Sequence, residues 1–324
     1  MSTNTSTTND LGCTVYTCPL SEALIAYRPS IGGNATFVAL FGFLALVQAL
    51  LSIRHKIWGY MGAMVLGLTL EFIGYIGRLQ LNNDPFKYQY FDEIFVCLSI
   101  APTFLTAAIY LTFARVVSSC DESLSWLRPK TMSTAFKAST IMCVILQIAG
   151  GATTSASTGP TEESTRQTGV DVTIVGLSIL LVSLLLFILN GAIYAWNWRA
   201  ATALHARHRL QSEEMRVQWR CLVFGLADAA VAIFIRTAFR IAELSGGFEG
   251  DLANNQAAFM ILESTMVFIA SVCLTIGHPG LCLDIAWKNL TWRTYLCREV
   301  HGNVESEGKA GVGLSDKGSQ GPEV

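Results

Sequence analysis

Apolar residues dominate seven stretches of the chain, and each stretch is bounded by polar or charged residues. The stretches lie near residues 35–53, 57–77, 94–114, 138–157, 172–195, 221–243 and 257–279. A helix needs about 20 residues to cross the hydrocarbon core of a bilayer, and each stretch is close to that length. Because lipid offers the backbone no hydrogen-bond partner, a spanning segment of this kind must be helical. The pattern therefore predicts an all-α integral membrane protein with seven transmembrane helices.

The fourth and fifth stretches differ in character. The fourth contains Gln147 and several small residues, of which Gly150, Gly151 and Ala152 permit close approach of a neighbouring helix. It is predicted to be buried among other helices. The fifth is the most uniformly apolar and is predicted to lie at the periphery, facing lipid.

Lys and Arg are distributed unevenly between the alternating loops. Of the 22 Lys and Arg, Arg236 and Arg240 lie inside an apolar stretch. With the N-terminus outside, sixteen of the others fall in the cytosol and four fall outside, namely Arg28, Arg78, Lys87 and Arg166. Because Lys and Arg accumulate in cytosolic loops, the N-terminus is predicted outside and the C-terminus in the cytosol.

Four regions follow from this topology. Residues 1–33 form an extracellular N-terminal segment without a cleavable signal peptide, and residues 34–280 form the seven-helix transmembrane domain. Residues 281–300 mix aromatic and basic residues, which predicts an amphipathic helix on the inner leaflet. Residues 301–324 are rich in Gly, Ser and Glu and are predicted to be a disordered cytosolic tail.

The extracellular segment contains two candidate sites of covalent modification. Asn4 begins an Asn-Thr-Ser sequon and is a candidate for glycosylation. Cys13 and Cys18 lie close together on the oxidising side, where they form either a small disulfide loop or two free or otherwise paired thiols.

Composition excludes several classes of function. The chain is 52% hydrophobic and 14% charged, and its net charge of −2 gives no reason to expect a nucleic-acid partner. It has no phosphate-binding loop of the ATPase type, and its Cys and His residues show no zinc spacing. A membrane zinc hydrolase would place several histidines and a carboxylate at one depth. We therefore predict a non-enzyme without a cofactor or metal.

The sixth stretch carries ionisable residues that are costly in hydrocarbon. Arg236, Arg240 and Glu243 follow the spacing i, i+4 and i+7, which places them on one helix face; Asp228 precedes them. Two interpretations remain open. The charges either form a structural ion-pair cluster that locks the bundle, or line a pocket for a substrate or ligand.

Counting helix rise places charged residues of other stretches near the same depth. Glu71, Arg236 and Glu263 fall at one level in the outer half of the membrane. Arg78, Arg240 and Glu243 lie one to two turns above, so the set holds three charges of each sign. Mid-membrane Pro102 is expected to kink the third helix and to free the carbonyl one turn before it. The residues predicted to line a substrate cavity are Glu71, Tyr75, Arg78, Gln147, Arg236, Arg240, Glu243 and Glu263.

Six motifs occur in order along residues 27–280. They are Tyr27-x-Pro29-Ser30 followed by Asn34, Glu71-x-x-Gly74-Tyr75-x-x-Arg78, Ala101-Pro102-x-Phe104-x-x-Ala107-x-x-Tyr110, Gln147-x-x-Gly150-Gly151, Arg236-x-x-Phe239-Arg240-x-x-Glu243 and His278-Pro279-Gly280. In this combination the chain resembles the fungal lipid-translocating exporters, a family that contains sphingoid long-chain-base exporters and an aminocholesterol-resistance protein.

The chain also departs from that family's pattern. Thr140 stands where an acidic residue is usual and Cys143 where Ser is common, Gln256 and Met260 replace Glu and Tyr, and Glu263 replaces Asp. These changes bear on which lipid would be preferred. The resemblance implies a protein of the plasma membrane or an endomembrane that is linked to lipid export and to resistance against toxic amphiphiles.

Two functions are compatible with these observations. The first is movement or export of an amphipathic lipid such as a sphingoid base, by facilitated or proton-coupled exchange with the carboxylates as proton carriers. The amine would meet Glu71 or Glu263, and Arg236 and Arg240 would instead hold a phosphate in phosphorylated relatives. The alternative is a seven-span receptor or sensor of a lipid or small molecule. Arg115 and His278-Pro279 do not reproduce rhodopsin-like signatures.

Overall fold

The structure is a computed structural model that describes residues 27–119, 129–156, 163–204, 213–246 and 255–281. Several predicted features lie outside these residues: Asn4, Cys13 and Cys18, the amphipathic helix beyond Leu281, and the tail 301–324.

The described residues form helices and no strands. The helices are α1 (Ile31–His55), α2 (Trp58–Asn83), α3 (Tyr88–Ser119), α4 (Pro129–Ala156), α5 (Glu163–Leu204), α6 (Glu213–Ser245), α7 (Gln256–Ala258) and α8 (Met266–Ile276), with a π-helix (Phe259–Thr265) between the last two. We refer to Gln256–Leu281, which contains α7, the π-helix and α8, as span 7.

The predicted number of spans is confirmed, because seven helices in the described part of the chain are long and apolar enough to cross a membrane. Each predicted stretch overlaps one of them over almost its whole length, and the helices extend beyond most of the predicted ends. Local hydrogen bonds fix the ends of α1: the Ser30 hydroxyl accepts from the Gly33 N–H at the start, and Lys56 takes a left-handed conformation (φ 56°) at the end. The orientation of the termini stays a prediction.

The helices pack as sequential neighbours around α3. This helix contacts α2, α4, α5, α6 and α8, and α1 closes the bundle by packing on α2 and α8. In its most apolar window 72% of the residues are buried, against 28% in α4 and 22% in α1. Side chains that extend from α3 therefore meet groups from most of the bundle.

The prediction that the fourth helix is buried is wrong. Ile141, Met142, Ile145 and Ile148 of α4 are all more than half exposed and form a face toward lipid. The expected close approach does occur, but on the opposite side, where α4 packs against α5 and α3. Gly150 and Gly151 thus marked the site of contact correctly, whereas Ala152 is exposed.

Gly150 lies at the closest contact between α4 and α5. A Cβ there would stand 2.3 Å from the Thr173 hydroxyl and 2.6 Å from the Gly169 carbonyl oxygen. The carbonyl oxygen belongs to the backbone, so it cannot rotate away. Gly150→Ala is therefore expected to destabilise the protein by about 1–3 kcal/mol through overpacking. Thermal unfolding in detergent measures this.

Gly191→Ala on α5 is the matched control, since no atom lies within 4 Å of a Cβ at that position. Alanine is a better helix former than glycine, so this variant is expected to unfold at the wild-type temperature or above it. Equal unfolding temperatures for the two variants would contradict the close α4–α5 contact.

The His278-Pro279-Gly280 motif joins the last helix to α1. The ring of His278 is buried; its Nε2 lies 3.1 Å from the Ser52 hydroxyl, and its Nδ1 accepts from the Gly280 N–H. A Cβ on Gly280 would stand 2.5 Å from the ring of His55. The motif therefore fixes the end of span 7 against the end of α1.

Candidate functional site

A buried ion pair connects α6 with span 7. The Nη2 of Arg236 donates to Oε1 of Glu263 at 2.7 Å, and the two side chains are 0% and 1% exposed. Counting residues from the helix ends had placed these two residues at one depth, and the structure brings them into contact. Because removing either charge would leave the other buried and uncompensated, the pair holds the two helices in register.

The same guanidinium also binds the backbone of α3. Arg236 Nη2 donates to the carbonyl of Leu98. In a regular helix this carbonyl would accept from the N–H four residues later, but that residue is Pro102, which has no N–H. Sequence analysis had expected this carbonyl to be free, and Arg236 satisfies it. One side chain thus joins α3, α6 and span 7 at the proline.

Glu263 lies in the π-helix, which was not predicted. Within this segment the side-chain hydroxyl of Thr265 donates to the Met260 carbonyl at 2.8 Å, while the hydroxyl of the neighbouring Ser264 accepts from the Tyr75 hydroxyl of α2 at 2.6 Å. A π-helix turns less per residue than an α-helix, and such segments are frequent at functional sites. Here Glu263 and Ser264 are both buried and face α6 and α2 respectively.

Arg240 and Glu243 form a second pair one turn further along α6. Their Nη1 and Oε2 atoms are 2.8 Å apart, and Arg240 also lies 4.0 Å from Glu263. The guanidinium packs over the ring of Phe95 at 5.6 Å. The two ion pairs therefore form one group that shares Glu263.

Glu71 of α2 is the third carboxylate at this site. It is 1% exposed, and neither of its oxygens makes a hydrogen bond with the described residues. The charges that act on it are those of Arg236, Glu263 and Arg240. We call Glu71, Arg236, Arg240, Glu243 and Glu263 the ionic cluster.

Arg78 does not belong to the ionic cluster, although sequence analysis grouped it there. Its Nε donates to Asn34 Oδ1 at 3.2 Å, its Nη2 donates to the Tyr27 hydroxyl at 2.9 Å, and its guanidinium stacks 3.8 Å above the ring of Phe259. Among the described residues no carboxylate lies within ion-pair distance of it.

The expected balance of three charges of each sign is consequently wrong for the cluster. Arg236 and Arg240 supply two positive charges, whereas Glu71, Glu243 and Glu263 supply three negative charges when ionised. Four of these groups are paired, and Glu71 is the one in excess. An excess buried carboxylate must hold a proton or receive a cation, because an isolated charge in a low-dielectric interior is strongly unfavourable.

The other predicted residues are divided between the cluster and its surroundings. Tyr75 borders the cluster through Ser264. Gln147 accepts from Thr103 at 2.9 Å between α3 and α4, and none of its hydrogen bonds in the described part of the chain reaches a charged group. The amide nitrogen of Gln147 is buried and has no hydrogen-bond partner among the described residues.

Several polar atoms of the cluster retain hydrogen-bonding capacity. Within the described residues, no partner is present for Nε and Nη1 of Arg236, Nε of Arg240, Oε2 of Glu263 or either oxygen of Glu71. Buried polar groups are satisfied as a rule, so these atoms give the cluster donors and acceptors for a polar headgroup. No group of three His, Cys, Asp or Glu residues suited to a metal ion occurs in the part of the chain that the structure describes.

Sequence reasoning missed four participants in this arrangement. Ser264 and the π-helix have no distinct sequence signal. Tyr27 and Asn34 did have one, since both precede or open α1 within a motif shared with the fungal exporters, yet neither was assigned a contact with Arg78.

These features define a seven-span helical membrane protein with a buried ionic cluster between its second, sixth and seventh spans. The sequence matches the RTA1 like protein family over residues 64–286, and the chain belongs to that family. The resemblance drawn from the motifs is thereby confirmed.

Three relatives illustrate the range of the family. Sphingoid long-chain base transporter RSB1 of Saccharomyces cerevisiae (strain Lalvin EC1118 / Prise de mousse) is 27% identical over 278 residues, covering 78% of this chain and 72% of that protein. Protoporphyrin uptake protein 1 of Saccharomyces cerevisiae is 24% identical over 213 residues, covering 65% and 66%. Probable lipid transporter atnI of Emericella nidulans is 22% identical over 264 residues, covering 79% and 67%. No solved structure matches the chain.

Proposed function

We propose that this protein is a membrane transporter of amphipathic lipids that carry a cationic amine, such as sphingoid bases. The observation that carries the proposal is the excess carboxylate of Glu71, which is buried beside two ion pairs. A protonated amine has the charge and the donors that this carboxylate requires.

The names of the relatives support the same class of substrate. Two of them are named as transporters of a sphingoid base or a lipid, and the third as an uptake protein for a porphyrin, which is also amphipathic. Neither the described structure nor these names favour the receptor alternative. The names also support a protein that transports rather than an enzyme.

The charges of the cluster favour an amine over a phosphate. Arg236 and Arg240 already hold Glu263 and Glu243, so a phosphate would have to displace a carboxylate and would enter a cluster with excess negative charge. A phosphorylated base is therefore expected to be a poor substrate, contrary to the option that sequence analysis left open for phosphorylated relatives.

The same charges support an exchange mechanism. Glu71 holds a proton when no substrate is bound; the ammonium group displaces that proton and pairs with the carboxylate while the hydrocarbon chain lies between helices. One positive charge replaces another, so the net charge of the cluster is unchanged. The protein works in the plasma membrane or an endomembrane.

Purified protein in liposomes tests the function directly. Transfer of a sphingoid base, its phosphate and a sterol amine out of the liposomes is measured in parallel, with protein-free liposomes as the control. The amines are expected to move faster with protein present, and the phosphate is not. Equal rates with and without protein for every probe would contradict transport, and ligand-dependent binding of a cytosolic protein would support a receptor instead.

A further inference from the structure

Asp228 lies on the outer surface of α6 and not in the ionic cluster. It is exposed within a face whose large residues are Phe224 (56% exposed), Val231 (44%) and Ile235 (39%). These residues recur every three or four positions, so they form one stripe along the helix. Asp228 is the charged member of an otherwise apolar, lipid-facing stripe.

The depth of Asp228 makes this exposure costly. The spanning part of α6 begins at Cys221, so the carboxylate is about 10 Å along the helix from that end, which is the cytosolic end in the predicted topology. Ionised side chains within a span normally face the interior of a bundle or a partner. Among the described residues Asp228 has neither a hydrogen bond nor an ion pair.

Asp228 also adjoins the contact between α6 and span 7. A Cβ on Gly225 would stand 2.9 Å from the Cys273 carbonyl, which shows that the two backbones almost touch one turn below Asp228. The Asp228 carboxylate lies within electrostatic range of the Cys273 thiol. Eight residues further along α6, about 12 Å away, Arg236 binds Glu263 across the same pair of helices.

We propose that Asp228 is a lateral binding site where the ammonium group of a single-chain cationic amphiphile docks from the bilayer. The chain packs along Phe224, Val231 and Ile235, and the carboxylate pairs with the amine. Charge and shape favour this occupant, since the ligand must be apolar over most of its length and positive at one end. The proposal takes its ligand class from the proposed function and adds a first contact outside the bundle.

Photolabelling in neutral phosphatidylcholine liposomes tests the site. The probe is a long-chain amine with a diazirine in its chain, and the matched control probe is the alcohol of the same length. The amine is expected to label the outward-facing residues Phe224, Val231 and Ile235 of α6 several-fold more than the alcohol does. Asp228→Asn should remove that difference, and Asp228→Glu should keep it.

Glu71→Gln separates this proposal from the transport proposal. Labelling at Asp228 is expected to persist in that variant, because the two carboxylates lie at different sites. If the amine and the alcohol label equally, or if the excess labelling by the amine persists in Asp228→Asn, the lateral site is overturned and transport can still stand. If wild-type protein moves no lipid but labels as expected, transport is overturned and the site stands.

A partner helix is the competing occupant. In that case the purified protein would form oligomers through this face, Asp228→Asn would dissociate them, and the amine would label no more than the alcohol. That outcome would overturn the lateral site. Unfolding temperatures of the variants establish that each protein is folded.

Discussion

Arg236→Met is expected to lower the stability of the folded protein by about 3–5 kcal/mol, the range found when one partner of a buried ion pair is removed. The change leaves Glu263 without its closest cation and the Leu98 carbonyl without its donor, while the unbranched side chain of methionine retains much of the packing. Thermal unfolding in detergent measures the effect. Arg28→Met, at an exposed position, is the control and is expected to unfold at the wild-type temperature.

Pro102→Ala provides a more specific test of the contact between Arg236 and α3. Alanine at this position restores an N–H four residues after Leu98, so the carbonyl no longer depends on the guanidinium. In a double-mutant cycle, Arg236→Met is expected to cost about 1 kcal/mol less in the Pro102→Ala background. Strictly additive effects would show that Arg236 does not satisfy this carbonyl.

Glu71→Gln is expected to reduce transport of a long-chain amine at least about thirtyfold, which corresponds to the loss of ~2 kcal/mol from a buried charge pair. Glutamine has nearly the same shape, but it can neither hold the exchanged proton nor pair with an ammonium group. The amount of folded protein and its unfolding temperature are expected to remain at wild-type levels, since neither Glu71 oxygen bonds to the described residues.

Liposome transport with Asp171→Asn as the control measures this effect. Asp171 is an exposed carboxylate on α5 that accepts from Gln167, and its neutralisation should leave transport unchanged. Normal transport by Glu71→Gln would show that the excess carboxylate is not used. Loss of folded protein in this variant would instead give the cluster a structural role.

The depth of charged residues was predictable from the sequence because helix rise is a local property. Counting from the ends of the apolar stretches placed Arg236 and Glu263 at one level, and they are in contact. Pro102 was likewise predicted to free a carbonyl, since the missing N–H depends on residue type alone. What the sequence could not supply was the donor, because Arg236 is 138 residues away from Leu98 in the chain.

The errors arose where neighbouring helices decide the outcome. Arg78 shares a helix face with Glu71, but Asn34 and Phe259 draw its guanidinium toward α1 and span 7. The exposure of α4 depends on how many helices surround it, which hydropathy does not encode. No residue pattern marked the π-helix around Glu263 in advance.

The central claim is that Glu71 provides the charge that recognises the substrate amine. Its most direct measurement is the binding of a long-chain amine and of the alcohol of equal length to purified protein in the Asp228→Asn background, which lacks the lateral site. With Glu71 in place this protein is expected to bind the amine more tightly than the alcohol, and with Glu71→Gln added it is expected to bind both equally. An unchanged preference for the amine after Glu71→Gln would contradict the claim.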